Sequence, residues 1–328
     1  MHRDSIDDLR KLFVGLDKKV NINGKGRIVP INFDNAATTP PFKRVVKRVL
    51  ETTEYYGSIA RGDGQKSQYC SDLYEECRRY ILKYFNAPEE IYTAIFVGNT
   101  TDGLNKLSNI LINNKEDIVI TTRMEHHSND LPWRNKCDLK YVEVNEDGRI
   151  NINEIEELIE RYKEKVKYIT ITGASNVTGY INDIRKISGL IHKYGGKIIV
   201  DGAQLVPHKK IYMYKKDSLE NIDFLVFSGH KIYAPFGSGA IIGLRKDFNN
   251  NLPDTKGGGT VEYVIDNNQL WLNTPEKNEA GTPNLFGAVA IMEAMKEIEN
   301  IGFERIEKNE KELLQYLING LKELNRVK

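Results

Sequence analysis

A chain of 328 residues that is 40% hydrophobic can bury a large core and form one large domain with part of another. Its 47 basic and 46 acidic side chains nearly cancel, which argues against a nucleic-acid or polyanion surface. Three cysteines without CxxC spacing, no apolar run of membrane-span length and an N-terminus without an apolar leader point to a soluble cytoplasmic protein kept reduced.

Residues 5–17 place Ile6, Leu9, Leu12, Phe13 and Leu16 at helical spacing behind Ser5 as N-cap, so residues 1–30 read as a helical segment. Cys70 and Cys77 sit on a helical stretch with Leu73, Tyr74 and Tyr80, where packing is their role. From Ala94 onward, short apolar runs alternate with amphipathic stretches. Ala94–Val97 leads into a helix through Leu104, Leu107 and Ile110; Asp117–Ile120 and Tyr168–Ile171 precede further helices, the latter around Ile184–Tyr194. Lys197–Val200, Phe224–Phe227 and Ala240–Gly243 complete the strand candidates. Strands alternating with helices predict an α/β fold with a mostly parallel sheet, whose ligands sit at the carboxyl ends of the strands. A glycine cluster at 257–259 and the loop 273–284 divide a large domain, 31–284, from a helical region at 285–328.

Chemistry-bearing residues gather at those strand ends. Phe224–Phe227 delivers Ser228-Gly229-His230-Lys231, putting one lysine in apolar surroundings that disfavour its charged form. An amine that gives up its proton easily suits the anchoring of an aldehyde cofactor, although most lysines beside a turn are simply solvated. Ile198–Val200 ends in Asp201, placed to pair with a protonated pyridine nitrogen. Gly98–Gly103 opens a helix, which makes either an ordinary capping turn or a phosphate cradle of backbone N–H groups and threonine hydroxyls. Its lack of a closing Gly-Lys pair excludes the nucleotide-triphosphate loop. In Glu125-His126-His127-Ser128-Asn129, no second cluster at ligand spacing supports a metal site, and a histidine stacked on an aromatic ring fits better. Asn176 either caps a turn or donates to a phenolic oxygen.

Taken in order, these segments resemble the class V aminotransferase superfamily of fold-type I pyridoxal phosphate enzymes, and within it the cysteine desulfurase and selenocysteine lyase branch. The resemblance is carried by Asn32–Thr39, Asn99–Gly103, Met124–Asn129, Ser175–Gly179, Asp201–Gln204, Ser228–Lys231, Gly257–Gly259 and Glu279–Asn284. His126-His127 followed by Pro132-Trp133 is similar to the group II desulfurases.

By that resemblance Lys231 would anchor pyridoxal 5'-phosphate covalently and move protons at the substrate's α-carbon, and Asp201 would hold the pyridinium proton. His126 would stack on the ring, and Asn176 and Gln204 would meet its phenolic oxygen. Thr101, Ser228 and His230 would bind the phosphate, with the Thr100 backbone close by. Thr282 would reach the phosphate of a partner subunit in a homodimer, and Arg61 a substrate carboxylate. The implied reaction converts L-cysteine to L-alanine and a persulfide, with a possible sulfur-acceptor protein as partner and no nucleic acid or membrane. The family pattern continues past the last residue, Lys328, with a small domain that carries a cysteine-bearing loop and a carboxylate-binding arginine. The chain is therefore expected to hold only the start of that domain and to have little desulfurase activity of its own. Another class V aminotransferase, lyase or epimerase, or a non-catalytic cofactor-binding homodimer, shares the same motifs.

Overall fold

The computed structural model describes residues 9–24, 26–59 and 62–324. A seven-stranded sheet organises the chain, in spatial order β3 (Tyr92–Val97), β9 (Gly239–Leu244), β8 (Phe224–Ser228), β7 (Lys197–Asp201), β6 (Val166–Thr172), β4 (Ile118–Thr122) and β5 (Asp138–Val142). Only β9 runs antiparallel to its neighbours, so the other six strands point the same way, and five of them lead into candidate site residues. This is the mostly parallel α/β sheet that the sequence predicts.

Side chains alternate between the two faces, and each face has its own core. Ile95, Val97, Ile199, Phe224 and Val226 pack with Trp133 and with helix α3 (Thr100–Leu111). Ala94, Phe96, Ile198, Val200, Leu225 and Phe227 face the opposite layer. That layer contains α1 (Lys43–Thr53), α2 (Gln65–Tyr84), α5 (Ile152–Tyr162), α6 (Ile184–His192) and α8 (Leu285–Ile301). A short helix, α4 (His127–Asp130), follows β4, and α7 (Arg245–Asn250) follows β9. Helix α3 begins where Asn99 Oδ1 accepts from the Asp102 amide at 2.9 Å. Its Gly103 lets it press on the sheet, since a Cβ there would stand 2.5 Å from Val226 Cγ1.

Two features depart from the sequence reading. The helix expected over 5–17 appears, among the described residues, only at Leu9-Arg10; Ser5 and Ile6 lie outside them. Phe13 instead pairs with Phe42 as a bridge and stacks on its ring at 5.0 Å, while Val14 donates to Pro41 O and Gly15 takes φ 85°. Tertiary pairing wins over a weak local propensity. A hairpin of β1 (Val20–Ile22) and β2 (Gly26–Ile28) follows, and a second exposed hairpin joins β10 (Val261–Ile265) to β11 (Asn268–Trp271). Helix α8 buries eleven of its residues, packing against α1 and α2. Helix α9 (Phe303–Lys322) has no buried residue. It begins after Gly302, whose φ of 84° ends α8, and is tied back by His208–Glu310 at 2.6 Å and Lys209–Glu307 at 2.9 Å.

Candidate active site

One cavity of about 640 Å³ opens at the shared ends of the parallel strands. Thr100, Thr101, His126, Asn176, Asp201, Gln204, Ser228, His230 and Lys231 all line it. Thr282 lines a smaller adjoining cavity of about 260 Å³, and its side chain is exposed. Arg61 lies outside the described residues.

Lys231 ends a 3₁₀ turn, Gly229–Lys231, that leaves β8 directly. The turn is tight because Gly229 donates to Ser238 O at 2.7 Å; a Cβ on Gly229 would meet Ala234 O and Ser238 O at 2.9 Å. From the other side Thr39 clips it, its amide and its hydroxyl both reaching His230 O at 2.9 Å. Burial lowers the Lys231 amine below its ordinary value, and Asp201 opposes that shift. His230 is lowered by burial and by the nearby Lys231, and its Nδ1 meets Thr38 Oγ1 at 3.2 Å.

Asp201 is the last residue of β7 and only 3% exposed. Burial raises its carboxyl above the usual value; the Ala203 amide, donating at 2.9 Å, together with Lys231 and His126, works in the other direction. An acid buried there without a fixed cation is suited to a cationic ring nitrogen.

The N-terminus of α3 forms the polar end. Ser228 Oγ accepts from the Thr100 amide at 2.8 Å and shares a hydrogen with Thr100 Oγ1 at 2.7 Å. Thr101 Oγ1 meets Ser128 Oγ at 2.7 Å, and Ser128 in turn meets His126 Nδ1 at 2.9 Å. Gln204 Nε2 donates to Ala36 O at 2.9 Å, tying the 34–39 segment to the cavity rim.

Three neighbours escape a reading of single residues. Thr172 lines the cavity beside Asp201, its register partner across β6 and β7. Ser128 lines it between Thr101 and His126, and the signal for it was a hydroxyl two residues beyond a helix-opening histidine. Glu125 lies beneath, taking a hydrogen bond from Thr122 Oγ1 and another from Asn129 Nδ2, both at 2.6 Å. Burial pushes its carboxyl up to about 8 against those two bonds.

The cavity's donor set fits pyridoxal phosphate. It offers an amine of lowered basicity, a buried carboxylate, a group of hydroxyls at a helix N-terminus and two amide side chains, in a volume typical of cofactor sites. A Cβ at Gly239 would fall 2.4 Å from Phe227 O and 3.1 Å from Asn99 Cα, so the polar end is cleared by absence of a side chain. Among the described residues, no group of three His, Cys, Asp or Glu side chains could hold a metal ion. No described helix is long and apolar enough to cross a membrane.

Comparison with known proteins agrees with this geometry. A profile described as Aminotransferase class-V matches residues 31–328. A probable cysteine desulfurase of Borreliella burgdorferi is 37% identical over 99% of this chain and 77% of its own length. A cysteine desulfurase of Wigglesworthia glossinidia brevipalpis is 32% identical over 98% of this chain and 78% of its own. The apo structure of a cysteine desulfurase from Thermococcus onnurineus NA1 superposes with a TM-score of 0.81 at 32% identity, covering 89% of this chain and 72% of that one. With a profile match over nine-tenths of its length and a cavity chemically suited to the cofactor, the chain belongs to the class V aminotransferase family of pyridoxal phosphate enzymes.

Proposed function

We propose that this chain acts as a cysteine desulfurase-like enzyme, taking sulfur from L-cysteine and leaving L-alanine. The observation that carries the reading is the convergence of Lys231, Asp201 and the α3 hydroxyls on one cavity, in a chain whose relatives are named cysteine desulfurases. When bound, pyridoxal phosphate withdraws electrons from the substrate's α-carbon. Lys231 anchors it and then carries a proton to and from that carbon, a role its lowered basicity supports. Asp201 would accept a hydrogen bond from the ring nitrogen, the protonated nitrogen supplying the counter-charge that its burial calls for. His126 would cover the ring face, and Asn176 and Gln204 would meet the phenolic oxygen. Thr101, Ser228 and His230 hold the phosphate with the Thr100 amide nearby. Arg61 meets the substrate carboxylate.

Thr282 serves the cavity of a second copy in a homodimer, which accords with its place outside the main cavity of its own chain. The leaving sulfur passes to an acceptor thiol, on a partner protein or a small molecule. Residues 31–284 form the large domain, and 285–328 supply an interdomain helix and the start of a second unit, a division that the exposure of α9 supports.

The test is release of sulfide and L-alanine from L-cysteine in the presence of pyridoxal phosphate and a thiol reductant, with Lys231→Ala as blank. The wild-type chain should bind cofactor with a visible absorption band that Lys231→Ala lacks. A chain that stays colourless, and unlabelled by borohydride with cofactor present, would sink the reading.

A further inference from the structure

We propose that Ser128 is a positioning residue that couples occupancy of the phosphate cradle to the hydrogen bonding of His126, through the hydroxyl chain Thr101–Ser128–His126. The inference rests on the reading of the α3 N-terminus as a phosphate cradle and deepens it.

The direction of every hydrogen in the chain follows from one fixed donor. The backbone amide of Ser128 donates to His126 Nδ1 at 3.1 Å, which caps α4. A hydrogen on Nδ1 would collide with that amide hydrogen, so Nδ1 is bare and the ring proton of the neutral histidine is on Nε2. The contact of 2.9 Å between Nδ1 and Ser128 Oγ is therefore donated by the serine. Having spent its single proton, Ser128 can only accept from Thr101 at 2.7 Å. In the empty cradle the chain thus runs from Thr101 to Ser128 to His126.

A phosphate group brings only acceptors on the oxygens facing the cradle, and it calls for the Thr101 hydroxyl hydrogen. Once Thr101 turns to it, the two hydroxyl oxygens stand 2.7 Å apart with no hydrogen between them unless Ser128 turns its own toward Thr101. Phosphate occupancy consequently withdraws the serine donor from His126 and leaves the Ser128 amide alone on Nδ1. The loaded cavity and the empty one present the same imidazole in different hydrogen-bonding states: the serine's one hydrogen goes to Thr101 because Nδ1 keeps the Ser128 amide, and the Ser128 hydroxyl eases back from Nδ1, their 2.9 Å contact then holding no hydrogen.

The measurement is the ¹⁵N resonance of His126 Nδ1 in the cofactor-free full chain at a pH where the ring is neutral. The chain's 6 histidines are labelled, and His126 is assigned by His126→Asn. Inorganic phosphate is the probe, its binding followed independently by calorimetry. Saturating phosphate should move the wild-type Nδ1 resonance downfield, as expected for loss of a donor. In Ser128→Ala the resonance should start downfield and move little with phosphate, whereas Thr101→Ser, which keeps the hydroxyl, should behave as wild type. Phosphate binding that leaves Nδ1 unmoved, or a Ser128→Ala resonance equal to that of the unliganded wild type, overturns the coupling alone. Calorimetry that finds no phosphate binding removes the cradle, and the coupling with it.

Discussion

Arg78 grips Glu279 with both prongs of its guanidinium, Nη1 to Oε1 at 2.9 Å and Nη2 to Oε2 at 3.0 Å, with both side chains buried. Burial works against the guanidinium's charge, but Glu279 outweighs it and holds Arg78 above its ordinary value. The same carboxylate takes Tyr74 Oη at 2.9 Å and the Phe96 amide at 2.7 Å. One acid thereby pins the turn that carries Thr282 to α2 and β3. Glu279→Ala should leave the buried Arg78 with the more exposed Glu75 as its ion-pair partner, at a cost of about 2 kcal/mol. Urea unfolding of that variant against wild type measures it. A loss under about 1 kcal/mol would mean that water replaces the carboxylate.

Asp201 raises the proton affinity of Lys231 against the burial that lowers it. In Asp201→Asn only burial remains, so the amine should lose its proton at lower pH. Covalent anchoring, read as borohydride labelling rate against pH, should shift its profile toward acid. Exchange of the substrate's α-proton should fall by about a hundredfold or more, since a neutral partner stabilises the ring cation poorly. An unshifted labelling profile would show that the two side chains do not sense one another.

Glu125 gives a pH signature of stability. In the unfolded chain its carboxyl ionises near the usual 4.5, whereas in the folded chain it keeps its proton up to about 8. Between those values the folded state binds more protons, so the group's contribution falls as pH rises, by about 1.4 kcal/mol per pH unit. Glu125→Gln has no such proton to hold. Wild type should therefore lose ground to the variant steadily from acid to mildly alkaline pH, then level off. Thermal melts of the pair at matched ionic strength test this, and parallel curves would count against it.

None of the three cysteines lines the cavity. Cys70 Sγ accepts from the Gly57 amide at 3.2 Å, burial raises the Cys77 thiol far above its usual range, and burial pushes Cys137 up to about 11. A thiol held protonated is a poor nucleophile. Replacing the half-buried Cys137 by serine should leave sulfide release from L-cysteine, measured with an added thiol, within about twofold of wild type. Loss of turnover in Cys137→Ser with unchanged cofactor absorbance would identify it as the sulfur acceptor.

A homodimer with Thr282 of one copy at the other's cavity makes a mass prediction. Light scattering should give twice the 37.5 kDa chain mass, and Thr282→Val should weaken cofactor retention without dissociating the pair. A cofactor-saturated monomer is the contrary result.

Much of the sheet could be read directly from the sequence because its strands are buried on both faces. Runs such as Phe224–Phe227 and Ile198–Val200 must be continuously apolar, and turn residues end them abruptly. Edge strand β5, Asp-Leu-Lys-Tyr-Val, was hidden because one side faces solvent and its lysine and aspartate interrupt the run. The exposed hairpins were hidden for the same reason. Within the cavity, Lys231, Asp201 and His126 stood out through chemistry at strand ends. Glu125 and Ser128 did not, because their meaning lies in which way a hydrogen points, and only the neighbours from β6 and α3 decide that.

Strand β9 pairs antiparallel with β8, so Ser228 lies opposite Gly239 and the lysine turn is the tip of a local hairpin. Closing so short a loop costs little chain entropy. Ser228 also bonds to Thr100, which lies 128 positions away along the chain, and that contact must wait for the crossovers to close. By sequence separation alone, the lysine turn is expected to form early during folding and the cradle for the phosphate late. In a refolding experiment, tight retention of cofactor should be the last property to return, well after the hairpin's backbone amides are protected from exchange.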